Sequence, residues 1–108
     1  MTKKDNISQK MEKFIHVGMV SSYMMLCEHK SYGEILELQT EKGVKNVFFI
    51  PPMDIDTGDV MKKDLQIMIE HFVSREEYEK CAKIKWLIDN NKCDEDGWLY
   101  LTNRFNTN

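Results

Sequence analysis

The tightest constraint on this chain is a helix-start signal at Ser74-Arg75-Glu76-Glu77, set directly behind another amphipathic run. Ser74 and Glu77 have the S-x-x-E spacing of a capping box. In that motif the serine oxygen accepts from the backbone N–H three residues on, and the glutamate reaches back to the serine N–H. Val73, just before the cap, and Tyr78, at the fourth helical position, are spaced for a hydrophobic staple. Upstream, Met61, Leu65, Met68, Ile69 and Phe72 fall on one helix face. The pattern predicts a helix from near Asp59 to Phe72 and a second from Arg75 to about Asn90, folded back as a hairpin over residues 59–90. The competing reading is one continuous helix from about 60 to 90.

Elsewhere the signals favour strands. Ile15, Val17 and Met19 alternate, which predicts a strand from Phe14 to about Met25, bent near Ser21-Ser22. Tyr23, Leu26 and Cys27 fit a helical turn instead, so this segment stays open. Gly33–Thr40 alternates Leu36 and Leu38 with Glu37 and Gln39, and Val44–Ile50 is rich in β-formers. A short connector ending at Gly43 joins them as a hairpin, and Pro51-Pro52 closes the second strand. Residues 53–59 read as a loop and Asp94–Gly97 as a turn. Trp98–Leu101 reads as a short strand returning to the sheet. The fold class is α+β: a small antiparallel sheet centred on residues 33–50, packed against a C-terminal helical hairpin. The domain spans residues 13–102, with a flexible N-terminus at 1–12 and a tail at 103–108.

A chain of 108 residues is long enough for one core without staples. The formal net charge of −3 argues against neutralising phosphates across a whole face. Cys27, Cys81 and Cys93 are odd in number and form no C-x-x-C pair, which suits free thiols in a reducing compartment. The polar start Met1–Asn6 is not followed by an apolar run, and no stretch is long enough to span a bilayer. The expected location is cytoplasmic, with no membrane association.

On the second helix, Tyr78, Cys81, Ala82, Ile84, Leu87 and Ile88 form a broad apolar arc, and Glu76, Glu79 and Lys83 face away. Lys85 projects from within the arc; its stem packs while its ammonium reaches water, or it edges a docking surface. Trp86 borders the arc, as core or as an exposed anchor. The stretch Phe72–Lys85 resembles the UVR motif, the short helical hairpin of UvrB, UvrC and several chaperone-adaptor proteins. Glu77, Tyr78, Ala82 and Ile84 match its acidic–aromatic pair, small residue and aliphatic residue. Lys85 and Trp86 stand where arginine and aspartate are usual, and Cys81 replaces a common alanine. The resemblance implies protein–protein docking by the hairpin; it does not imply nuclease or repair activity, which lies in other domains of such proteins.

Nothing along the chain spells out catalysis. His16, His29 and His71 are scattered, without partners one turn away. Asp54, Asp56 and Asp59 lack the glycine and glutamate positions of a calcium loop. No phosphate-binding glycine loop or nucleophilic triad occurs, so the expectation is no enzyme, no cofactor and no metal. The leading function is a small regulatory or adaptor protein binding a protein partner through Glu77, Tyr78, Lys83, Lys85 and Trp86. Its size also suits a bacteriophage accessory protein, and self-association is an option. The alternative is a nucleic-acid-binding regulator using a lysine strip, centred on Lys42, Lys45, Lys62 and Lys63 and extended by Lys80, Lys83 and Lys85 where the helices share its face, with Phe48, Phe49 and Trp98 as stacking platforms.

Overall fold

A computed structural model describes the backbone of residues 3–104 and the side chains of residues 9–104. The helices are α1 (Lys3–Cys27), α2 (Tyr32–Glu41), α3 (Pro52–Thr57), α4 (Lys62–Ser74) and α5 (Tyr78–Asp89). The strands are β1 (Asp59–Met61), β2 (Lys92–Cys93) and β3 (Trp98–Tyr100). They form one antiparallel sheet in the order β1-β3-β2, pairing Asp59 with Tyr100, Val60 with Leu99, Met61 with Trp98 and Cys93 with Leu99. The fold is thus mixed α and β. Of the flexible ends expected at 1–12 and 103–108, residues 1–2 and 105–108 lie outside the described residues.

The expected strand at 14–25 is helix α1. Its second half is buried nearly all round, through Val17, Met19, Ser21, Ser22, Tyr23, Met25, Leu26 and Cys27. A helix enclosed on most sides loses its polar face, so its periodicity is faint. Gly18, Ser21 and Ser22 are small because another stretch of backbone crosses α1 there. A Cβ on Gly18 would stand 3.2 Å from the Phe49 nitrogen and 3.3 Å from the Phe48 carbonyl carbon.

The expected 33–50 hairpin is also replaced. Its first half is α2, started by a complete capping box at Ser31 and Glu34. Ser31 Oγ accepts from the Glu34 amide (3.2 Å), and Glu34 Oε1 accepts from the Ser31 amide (3.3 Å). Ile35 and Gln39, one turn apart, face inward. The second half, residues 44–50, runs irregularly and pairs with no strand among the described residues. Side chains take the place of a ladder for several of its polar groups. The Gln39 amide accepts from the Val47 N–H (3.0 Å) and donates to the Val47 carbonyl (2.7 Å) and to Ser21 Oγ (2.8 Å). Ser22 Oγ accepts from the amides of Phe49 (3.1 Å) and Ile50 (3.0 Å).

Pro51 and Pro52 open α3 instead of closing a strand, in the first-turn position where a missing N–H costs nothing. Gly58 ends α3 at φ 83° and its carbonyl accepts from Leu101 (2.7 Å), which aims β1 alongside β3. The Asp94–Gly97 turn and the strand at Trp98 lie where the sequence reading puts them. Asp94 Oδ1 accepts from the amides of Asp96 and Trp98, both at 2.9 Å. One core joins Tyr23, Leu26 and Ile35 to Ile50, Ile55, Val60, Leu65, Met68, Phe72, Ile84, Leu87 and Leu99.

Candidate functional site

Between α4 and α5 the helix breaks, but not through the expected cap. Ser74 Oγ donates back to the His71 carbonyl (2.6 Å), inside the last turn of α4. Glu77 is the residue before α5 and makes no side-chain cap bond. The stop is a C-terminal motif. The Glu76 amide donates to the Val73 carbonyl (3.0 Å) and the Glu77 amide to the Phe72 carbonyl (2.9 Å), with Glu76 left-handed at φ 60°. That is the Schellman pattern, built here without its usual glycine. The expected Val73–Tyr78 staple is replaced by two exposed side chains. Beyond the break, the Cys81 thiol reaches the Ile69 carbonyl at 3.5 Å, so α5 contacts α4.

On α5 the inward residues are Cys81, Ile84 and Leu87. Tyr78 and Ala82, expected on the apolar arc, are exposed, as are Glu79, Lys85, Trp86 and Asp89. Tyr78, Ala82 and Trp86 recur every four residues and so form one line along the outer face. Tyr78 is 61% exposed and Trp86 37% exposed. Lys85 therefore lies on the solvent side and does not interrupt the core.

A cleft of about 340 Å³ opens beside Tyr78, lined by Tyr23, Glu28, Glu76, Glu77, Glu79, Lys80 and Lys83. Of the expected partner-binding residues, the cleft gathers Glu77, Tyr78 and Lys83, while Lys85 and Trp86 lie farther along α5. Lys80, which the sequence pattern places only in the alternative lysine strip, lines the cleft. Its Nζ donates to Glu77 Oε1 (3.0 Å) and lies 5.5 Å from the Tyr23 ring centre and 5.9 Å from that of Phe72. The Lys80 hydrogen bond holds the Glu77 carboxyl below its ordinary pKa. Lysines 42 and 45 follow α2 and lysines 62 and 63 open α4, so the proposed strip draws on different elements. Phe48 and Phe49 pack against the core from the irregular segment and are not sheet residues; Trp98 is on β3 and exposed.

The fold gathers two of the scattered histidines. His16 Nδ1 and His71 Nε2 are 3.0 Å apart, joining α1 to α4 with ring centres at 5.3 Å. One ring donates and the other accepts, which requires at least one neutral imidazole. Burial first, and the Arg75 guanidinium second, hold both rings below the ordinary histidine pKa. The unfolded chain therefore takes up protons first as pH falls, and stability is lost below about pH 6.5. Urea midpoints are expected to fall between pH 7.5 and pH 5.5. The double variant His16→Asn/His71→Gln, whose amides stand in for the two nitrogens without titrating, should show a flatter profile over the same interval.

Burial also pushes the Cys27 thiol up to about 12 and raises that of Cys81, which leaves both un-ionised at neutral pH. Among the described residues no group of three or more histidine, cysteine or acidic side chains is arranged for a metal ion. Nor, among them, is any helix long and apolar enough to cross a membrane. A scan against protein-family models matched none, and searches of curated proteins and of solved structures returned no match.

Proposed function

We propose that this protein is a small, non-catalytic cytoplasmic adaptor that binds a protein partner through the outer ridge of an α4–α5 hairpin. The observation carrying the reading is the line Tyr78–Ala82–Trp86: two exposed aromatic side chains with a small residue between them on one helix face. Aromatic anchors flanking a shallow position are what a partner helix or loop packs onto, and they dominate interface energies when buried. Glu79, Lys83 and Lys85 flank that line with charges suited to a polar rim. In this reading the sheet braces the hairpin from behind, since β1 runs directly into α4 and contacts it. The likeness of Glu77, Tyr78, Ala82 and Ile84 to the UVR motif points the same way.

The test is affinity capture from the native host, comparing the unaltered protein with Tyr78→Ala and Trp86→Ala. Each truncation is expected to weaken partner retention by about 30-fold, the loss of a hot-spot anchor of roughly 2 kcal/mol. Both variants should keep the parent melting temperature within a few degrees, since both side chains are exposed. Retention that is equal for all three proteins, at unchanged melting temperature, removes the ridge as the binding surface.

A further inference from the structure

On the outer face of the sheet, sharing no lining residue with the cleft beside Tyr78, lies another cleft of about 330 Å³ lined by Asp54, Thr57, Asp59, Trp98 and Tyr100. Its walls follow from strand register. Trp98 and Tyr100 are two residues apart on β3 and so share a face, opposite buried Leu99. Asp59 is the cross-strand partner of Tyr100, which sets a carboxylate beside that ring. Asp54 reaches the same cleft from α3.

The aromatic walls are held in place. Tyr100 Oη donates to Asp94 Oδ2 (2.7 Å), while Asp94 Oδ1 accepts from the Trp98 amide (2.9 Å). One carboxylate thus fixes the Tyr100 ring and the backbone beneath the Trp98 side chain. The two acids of the cleft are differently placed: among the described residues neither Asp54 nor Asp59 is in an ion pair. Of the cations nearby, Arg104 donates to the Ile55 carbonyl. Lys92 is the cross-strand partner of Tyr100 on its other side and shares that face of the sheet, but it lines a different cleft, with Asn91 and Asn103. Glu95 and Asp96 in the preceding turn add negative charge nearby.

We infer that this cleft binds an organic cation, an alkylated ammonium or guanidinium group, with its alkyl surface on Trp98 and Tyr100 and its charge toward Asp54 and Asp59. Ring faces attract a cation through their negative quadrupole. Carboxylates without a protein counter-ion add a Coulombic component that a neutral ligand of the same shape cannot use. The ring faces prefer an alkylated, weakly hydrated head over a small hydrated metal ion. The cation is either a free small amine or a basic side chain on a peptide.

The experiment is a two-dimensional amide and indole NMR titration of the full chain. Its probes are tetramethylammonium, a short peptide carrying one trimethyl-lysine, and the neutral isostere 3,3-dimethylbutanol. The expected result is saturable movement of the Trp98 indole and Asp59 amide signals by a cationic probe, with affinity at least tenfold above the neutral one. The double variant Asp54→Asn/Asp59→Asn should weaken the cation at least tenfold while leaving the rest of the spectrum in place. Tighter binding of the peptide than of tetramethylammonium assigns the site to a basic side chain; the reverse order assigns it to a free amine. Equal affinity for the neutral isostere, no saturable movement with either cation, or an unchanged affinity in the double variant overturns the inference. Tyr78→Ala is expected to leave the titration unaltered, so the two surfaces are judged separately.

Discussion

Phe72→Ala is expected to lower the unfolding free energy by about 4 kcal/mol, within the range for truncating a buried phenylalanine. Phe72 is fully buried at the end of α4 and touches both of the helices that flank it. Its ring meets Tyr23 of α1 edge-on at 5.8 Å between centres, and the Lys80 ammonium of α5 stands 5.9 Å from its centre. Its carbonyl also receives the Arg75 and Glu77 amides that end the helix. Truncation leaves a cavity at the junction of α1, α4 and α5. The conservative Phe72→Leu fills most of that space and should cost about 1.5 kcal/mol. Urea denaturation of both variants checks the order, with the slope against urea concentration compared to confirm a shared denatured state.

Gln39→Ala is expected to cost about 3 kcal/mol, although Gln39 is polar. Its amide does for Val47 what a neighbouring strand would do, accepting from the N–H and donating to the carbonyl, and it ties the same point to Ser21 of α1. Removing it leaves buried polar groups unpaired, and each such group costs about 1–3 kcal/mol. Gln39→Met separates the contributions: it restores volume but no hydrogen bond, and should remain at least 2 kcal/mol below the parent. Amide hydrogen exchange should localise the damage, with Val47 losing protection first and the α4–α5 pair last.

Gln39 also explains why half of the fold was hard to read from sequence. Residues 33–50 look like two strands because Leu36 and Leu38 alternate and Val47–Ile50 are β-formers. The inward positions of the first segment are Ile35 and Gln39, a helical pair with a polar member that hydropathy does not count as core. The stronger local cue was Ser31-x-x-Glu34, a capping box that forms. The identical spacing at Ser74 and Glu77 does not, because Ser74 is the last residue of α4 and the Glu77 amide it would cap donates to the Phe72 carbonyl instead. Two copies of one motif met opposite tertiary surroundings, and only packing tells them apart. In α1, burial on most sides erased the periodicity that marks a helix. Within 59–90 the two helices were legible because their apolar spacing is clean, but residues 59–61, expected to open the first helix, pair with β3 as β1, and the second helix starts at Tyr78 and not at Arg75. On α5 the wheel placed the arc about one position off, which put Tyr78 and Ala82 inside when they belong to the outer line.

The most direct measurement of the adaptor reading is photo-crosslinking in the native host with a benzophenone amino acid at position 78. The control carries the same group at position 53, where Met53 is 74% exposed on α3. A discrete higher-mass adduct from position 78, absent from position 53 and competed away by excess unlabelled protein but not by its Trp86→Ala variant, is the predicted result. No adduct from position 78, or the same adducts from both positions, would contradict docking at the α4–α5 ridge.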